Sequence, residues 1–295
     1  MVNAHPTVDI CNLTANKLPN DLFNADRFGG YLSSNPIIEK VHKHSFYHLV
    51  YFTNGAGQHT IDFKDYPIEP GCIYFMSPGQ VHNFKFENDP DGYVINFSTT
   101  FFDQLLINSS IIDQFSSFNI FSESQMIKLK ENVRVQVVAI LEIILEELKF
   151  RKNQNQLMIS AHLLQLFILV NREVSLPDTL LQKNNYNFIV LKKFVDCVEE
   201  HFRDIHLPKD YAVLLSITPS YLNNVCKSTL DMSSGEIIRR RILLEAKRML
   251  INFEFSIATI SQELNFFDTS YFIKFFKKYT QSTPEAFRRQ FYGKT

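Results

Sequence analysis

The 295-residue sequence predicts two domains: an N-terminal small β-sandwich or barrel with a helical hairpin, then an all-α domain in which two helix-turn-helix motifs are joined by a linking helix. Three observations predict it. Between about residues 20 and 100, short β-rich runs alternate with Gly, Pro and Asn turns, the texture of small sandwiches and barrels. From Val133 onward, apolar residues recur at helical spacing instead. Beyond Pro208 one pattern occurs twice, as Ser220-Tyr221-Leu222-Asn223-Asn224-Val225-Cys226-Lys227 and Ser270-Tyr271-Phe272-Ile273-Lys274-Phe275-Phe276-Lys277. Ser, Tyr, a large apolar residue, another three positions on, and Lys share identical offsets.

The strands read Leu49 to Thr53, Gln58 to Phe63, Cys72 to Met76 and Tyr93 to Phe97, with turns at Asn54-Gly55-Ala56-Gly57 and Glu69-Pro70-Gly71. Val133 to Lys149 carries a helical stripe of Val137, Ile140, Leu141, Ile144, Leu145 and Leu148. Gln156 to Asn171 forms a second helix after a turn at Asn153-Gln154-Asn155, giving an antiparallel hairpin. That second helix is apolar on more than one face and has to be covered on both sides. The barrel and a second copy of the chain, in a homodimer, are the two candidate covers. The polar, proline-marked stretch from Leu176-Pro177-Asp178 to Asn184-Asn185 separates this half from a fully helical remainder. The expected domains are therefore 1–175 (barrel about 20–100, helical part about 101–175), a linker at 176–186, and 187–295.

In the second half, Phe188, Leu191, Phe194, Val195 and Val198 define a first amphipathic helix. Pro208 to Leu215 supports the first motif, whose second helix starts at Pro219 after the N-cap Thr218. Ile257 to Leu264 supports the second, whose second helix runs from Thr269 to about Tyr279 after the cap Asp268. Tyr221, Leu222 and Val225, or Tyr271, Phe272 and Phe275, fall on one face of their helix. Ser233-Ser234-Gly235-Glu236 is a capping box opening the linking helix, which reaches about Leu250. Roughly 16 residues at 1.5 Å each span ~25 Å, close to the ~34 Å between successive major grooves on one face of DNA.

Two tandem motifs so spaced point to double-stranded DNA as partner. Asn pairs bidentately with adenine and Ser or Thr contacts several bases, so Ser220, Asn223, Asn224 and Thr269 are base-reading candidates, with Ser270 beside them. Lys227, Lys274, Lys277 and Lys278 suit phosphates, as do Arg288 and Arg289. Arg239-Arg240-Arg241 reads either as a phosphate contact or as a solvated helix face with Arg241 as a buried structural partner. Residues 186–295 hold 16 Lys and Arg against 12 Asp and Glu, although the whole chain has a net charge of −1.

The other bulk properties exclude several classes. A hydrophobic content of 45% and a charged content of 21% describe a folded, soluble protein large enough for two cores. Cys11, Cys72, Cys197 and Cys226 show neither a disulfide framework nor a zinc-finger spacing. There is no signal-peptide pattern and no apolar run of membrane length, so the expectation is a cytoplasmic protein with no membrane partner.

From Phe188 to Arg289 the chain resembles the DNA-binding domain of the AraC family of bacterial transcription regulators. The matching residues are Arg241, Ala246, Leu250, Ile257, Ile260, Leu264, Phe266, Asp268, Ser270-Tyr271-Phe272, Phe276-Lys277, Thr283-Pro284 and Arg288. Asn265 stands where the family usually has Gly, and Cys226 replaces a larger aromatic residue. The resemblance implies a dimeric regulator, often an activator that engages RNA polymerase, whose other domain senses a small-molecule effector or mediates association.

The first half supports it. In His42-Lys43-His44-Ser45-Phe46-Tyr47-His48, strand periodicity places three histidines on one face, and Pro78-Gly79-Gln80-Val81-His82 follows. These resemble the two short motifs of the cupin barrel, with His48 at the position of the usual carboxylate. The fold class implied is a cupin-like N-terminal barrel. His42, His44, His48 and His82 are the expected ligand-binding residues. Regulators of this kind usually bind an organic ligand without metal, so no cofactor is expected; a metal, if bound, would use those same four imidazoles. Phe46, Phe84 and Phe86 are pocket walls or core. The expected function is sequence-specific, effector-controlled transcription regulation without enzyme activity. The alternatives are a metal-dependent cupin enzyme fused to a DNA-binding module, and a constitutive regulator whose N-terminal domain only dimerises.

Overall fold

Strands that are apolar on both faces and strands apolar on one face sort the first half into two sheets. The structure, a computed structural model, describes residues 7–13, 16–18, 21–103, 125–173, 185–252 and 254–291. The chain divides into two compact units with the break between residues 175 and 176. The expected linker falls mostly outside the described residues.

One sheet runs β1 (Thr7–Val8), β3 (His42–His44), β8 (Val81–Phe86), β5 (Gly57–Ile61) and β6 (Lys64–Ile68); the other runs β10 (Met126–Lys128), β7 (Cys72–Met76), β4 (Tyr47–Asn54), β9 (Asp91–Phe97) and β2 (Phe23–Arg27). The second sheet is buried on both faces, which explains unbroken runs such as Leu49-Val50-Tyr51-Phe52. Leu49, Tyr51, Ile73, Phe75, Ile95 and Phe97 pack outward against the helical hairpin. Val50, Phe52, Tyr74, Met76 and Val94 point inward, to a core shared with Phe28 and Tyr31 of α1 (Phe28–Ser34). In the first sheet, β5 lies against β8 only because residue 57 is Gly: it has φ +138°, and a Cβ there would sit 2.1 Å from the Lys85 carbonyl.

Several expectations need correction. The strand expected over Gln58–Phe63 stops at Ile61, because Asp62 and Phe63 turn the chain with φ of 46° and 73°. The part expected to be helical includes the strand β10. Strands β2 and β6 were not foreseen: β6 contains Pro67 and β2 mixes polar with apolar residues, and both lie at sheet edges where such sequences are tolerated. Most importantly, His42–His48 is not one strand. Ser45 and Phe46 break it, so His48 lies on β4 of the opposite sheet.

The hairpin consists of α2 (Glu131–Phe150) and α3 (Asn155–Glu173). Ile159, Leu163, Leu166, Phe167 and Val170 of α3 are buried in the core shared with the sheet. Its other face keeps apolar residues in solvent.

The C-terminal unit begins with α4 (Asn185–His201), which buries Val190, Leu191, Phe194 and Val198. Phe188, expected on that face, is exposed, since it sits about a quarter-turn off the buried row. There follow α5 (Pro208–Leu214), α6 (Pro219–Leu230), α7 (Ser234–Ile251), α8 (Ile257–Glu263), α9 (Thr269–Thr280) and α10 (Pro284–Arg289). Helix α7 has 18 residues and buries Ile237, Ile238, Ile242, Ala246 and Leu250, so it is the spine on which both motifs pack.

Candidate nucleic-acid interface and histidine-lined barrel

The two motifs superpose in sequence by a constant offset that changes once. Helix α5 precedes α8 by 49 residues, and the left-handed turn residues Ser216 (φ 53°) and Asn265 (φ 50°) keep that spacing. From the caps onward the offset is 50. Thr218 and Asp268 each accept a hydrogen bond from a backbone N–H, of Tyr221 (3.2 Å) and Tyr271 (2.6 Å) respectively. Asp231 and Gln281 end both helices in left-handed conformation, and Ser233 and Thr283 cap the helices that follow. The inserted residue is Phe267, which is 96% exposed.

Leu222 and Cys226 in α6, and Phe272 and Phe276 in α9, are buried at equivalent places. Ser220, Asn224 and Lys227 are exposed on α6; Ser270, Lys274, Lys277 and Lys278 are exposed on α9, with Thr269 half-buried. Two expected inward residues differ. Tyr221 is half-buried and its hydroxyl donates to Asn187 Oδ1 at 2.8 Å, whereas Tyr271 is 58% exposed. Asn223 is also half-buried: its Oδ1 accepts from the Ser234 N–H at 3.3 Å, tying α6 to the start of α7. That bond takes up one of the two lone pairs of the oxygen that bidentate adenine pairing uses, and fixes the amide's direction against α7.

The basic run of α7 divides as well. Arg241 is buried, donates from Nε to Glu199 (2.8 Å) and from Nη1 to Glu245 (3.1 Å), and stacks over Phe202. It is a structural residue. Arg240 pairs with Glu236 at 2.7 Å on the surface. Arg288, expected at phosphate, donates instead to the carbonyls of Leu250 (3.1 Å) and Phe255 (2.5 Å), which fastens α10 to the end of α7. Arg289 remains exposed.

In the first unit, strand pairing gathers the histidines. His42 faces His82 across β3 and β8, Ile61 faces His82 on the other side, and His59 faces Phe84. His42, His44, His59 and His82 therefore share the inner face of one sheet, and His48 approaches from the other. All five are at most 2% exposed. Nε2 of His44 lies 3.2 Å from Nε2 of His42 and 2.8 Å from Nε2 of His82. His82 Nδ1 meets His59 Nε2 at 3.1 Å, and His42 Nδ1 meets the Lys40 carbonyl at 2.7 Å. His48 Nδ1 contacts Asn96 Oδ1. Burial, reinforced by the neighbouring imidazoles, holds His44, His59 and His82 well below the ordinary histidine range; burial pushes His48 down to about 3. Burial thus favours the neutral form of these four rings. Phe46 and Phe84 are buried against them and Phe86 is half-buried, so all three are core.

Residues 211–290 match the helix-turn-helix domain family, and residues 35–167 match the AraC-like ligand binding domain. The chain belongs to the AraC family. Regulatory protein PocR of Salmonella typhimurium is 30% identical over 100 residues, 34% of this chain and 33% of that protein. The chain thus spans about a third of PocR's length. HTH-type transcriptional activator RhaR of Mannheimia succiniciproducens is 21% identical over 256 residues, covering 86% of this chain and 88% of the relative. Among solved structures, ToxT from Vibrio cholerae aligns with a TM-score of 0.43 and 14% identity, over 92% of this chain and 98% of that one.

As an AraC-family protein the chain departs from the usual pattern at two places, and both are accommodated. Asn265 adopts the left-handed turn with φ 50°, and its Nδ2 donates to the Asp204 carbonyl at 3.4 Å. Cys226 is fully buried, with its thiol pushed up to about 12 by burial, which keeps it protonated in the core. His59 and Asn96 escaped the sequence reading. Each is a polar residue at an inward position of a strand, a signal that becomes readable only when its neighbouring strand is known.

Proposed function

We propose that this AraC-family chain is a sequence-specific regulator of transcription that binds double-stranded DNA through α6 and α9 and responds to an effector held in its histidine-lined barrel. The observation that carries this reading is the matched pair of capped helices on one spine, each with a buried apolar face and an exposed polar or basic one. Base reading falls to Ser220 and Asn224, with Thr269 and Ser270 at the start of α9. Phosphate contacts fall to Lys227, Lys274, Lys277 and Lys278. Asn223 acts as a support for α6, although the sequence pattern placed it among the readers.

The same reading makes the protein a homodimer. Leu157, Ala161, Leu164 and Ile168 follow one another at intervals of four, three and four along α3; Leu157 and Ile168 are 52% and 39% exposed. That is the spacing of a helix seam that packs against its like. No helix among the described residues is long and apolar enough to cross a membrane, and a regulator of this family works in the cytoplasm, where it meets DNA and, as an activator, RNA polymerase. That the relatives PocR and RhaR are a regulatory protein and a transcriptional activator supports a sensing role for the barrel over turnover.

The test is binding of the purified chain to fragments of its own promoter region, followed by fluorescence anisotropy. One fragment should bind at least 10³-fold more tightly than unrelated DNA. Equal, weak binding to every fragment would overturn the reading.

A further inference from the structure

Folding gains almost nothing from Phe267. At 96% exposure it is the most exposed large apolar residue among those described, ahead of Val213 at 76%, and a ring left in water adds little apolar burial. Its neighbour shows the contrast. Phe266 is buried, with its ring centre 5.2 Å from that of Phe272 and 5.0 Å from that of Phe275. The chain turns at Asn265 (φ 50°), sends Phe266 into the core, and presents Phe267 on the outside immediately before the cap Asp268.

The first copy has no counterpart. There Ser216 and Ile217 lead directly to the cap Thr218, so the turn is one residue shorter. Its Tyr221 is tied to Asn187, whereas Tyr271, four residues beyond Phe267, is 58% exposed. Of the two copies, the second therefore carries an exposed aromatic edge at the start of its outer helix.

Position and charge say what covers that edge. In such a motif the first residues of the second helix meet base edges in the major groove. Phe267 stands at the same end of α9 as Thr269 and Ser270. The exposed face that continues from them carries Lys274, Lys277 and Lys278 and no carboxylate, and Asp268 is engaged as the cap. A face so charged suits a polyanion. A phenyl ring offers no N–H or O–H to phosphate or to the polar base edges. The apolar feature that the major groove presents is the C5 methyl group of thymine.

We propose that Phe267 is a specificity-determining residue of the second motif, its ring packing on a thymine C5 methyl at the edge of the site that α9 enters. The contact comes from the turn, so it leaves the lysine face of α9 to the phosphates. It rests on the reading that α9 enters DNA, and adds to that reading a preference for thymine carried by its methyl group.

The test uses the full-length chain and the promoter fragment it binds most tightly, prepared in two forms. One is ordinary DNA; the other has deoxyuridine in place of every thymidine, which removes the methyl groups and keeps the base pairing. Fluorescence anisotropy gives the affinities of the parent, Phe267→Ala and Phe267→Leu for both. One buried methyl group corresponds to roughly fourfold in affinity, so the parent should bind the deoxyuridine form at least ~4-fold more weakly. Phe267→Ala should lose ~10-fold or more on ordinary DNA. It should keep the parent's melting temperature, because the ring is exposed, and its penalty for deoxyuridine should be smaller than the parent's by about fourfold. Phe267→Leu, still apolar, should keep most of the parent's penalty. Methyl contacts made by other residues, such as Thr269, weaken parent and variant alike and cancel in the comparison.

Unchanged affinity of Phe267→Ala for ordinary DNA would overturn the proposal, as would equal deoxyuridine penalties in the parent and Phe267→Ala. Unchanged DNA binding together with lost activation in a reconstituted transcription reaction would also overturn it, and would assign the ring to a protein partner. If the parent binds no fragment selectively, the regulator reading fails and takes this contact with it. Selective binding by the parent that is indifferent to Phe267 removes this contact alone.

Discussion

The two helix-turn-helix copies share their hidden residues and differ in their visible ones. Caps, left-handed ends and the buried pairs Leu222/Phe272 and Cys226/Phe276 correspond position by position, and the buried Val225 has the half-buried Phe275 as its counterpart. The exposed faces do not: α6 carries one lysine and an exposed Asn224, while α9 carries three lysines, and neither helix contains a carboxylate. The difference teaches that one packing solution was used twice and that its outer face was free to specialise. We read α6 as the copy suited to base edges and α9 as the copy suited to the DNA backbone.

The largest effects should come from the shared core, where both copies must fail. Phe272→Ala should destabilise the C-terminal unit by ~3–5 kcal/mol and Leu222→Ala by ~2–5 kcal/mol, measured as shifts of its urea unfolding transition. If one of the two changed stability by well under a kcal/mol, the copies would not be equivalent in packing. Next in size, Asn224→Ala should cost ~1–3 kcal/mol on the cognate fragment and leave binding to unrelated DNA unchanged. A uniform loss across all sequences would remove base reading from α6. The caps should be worth about the same in both copies: Thr218→Ala and Asp268→Ala should each destabilise by ~0.5–2 kcal/mol. The smallest contrast concerns the paired tyrosines. Tyr221→Phe removes the hydrogen bond to Asn187 and should cost ~0.5–1.5 kcal/mol, whereas Tyr271→Phe, at an exposed ring, should leave the melting temperature unchanged.

The C-terminal half was largely legible because its determinants are local. A cap lies three residues from the N–H it satisfies, and a buried row repeats every three to four residues, so Thr218, Asp268, Leu222 and Phe272 could be placed from spacing alone. Long-range partners could not. Arg241 and Arg288 look like surface cations in the sequence, yet Glu199 and the Leu250 carbonyl claim them across 42 and 38 residues. Asn223 reads as an exposed helix residue until the start of α7 is seen beside it. The barrel was less legible for the same reason. The histidine-rich motifs mark four of the five rings, but the break at Ser45 and Phe46, which sends His48 to the opposite sheet, and the arrival of His59 opposite Phe84 depend on strand pairing. Edge strands such as β2 and β6 lack the alternation that reveals a strand with one wet face.

The central claim, that the two copies divide base reading from phosphate contact, is tested most directly by the salt dependence of promoter binding. Anisotropy titrations across ionic strength would compare the parent, Asn224→Ala and the triple variant Lys274→Ala/Lys277→Ala/Lys278→Ala. The account predicts that the triple variant flattens the slope of log K against log salt by about 3 and weakens all sequences alike, whereas Asn224→Ala keeps the parent slope and loses only the cognate preference. An unchanged slope in the triple variant, or a flattened one in Asn224→Ala, would contradict it.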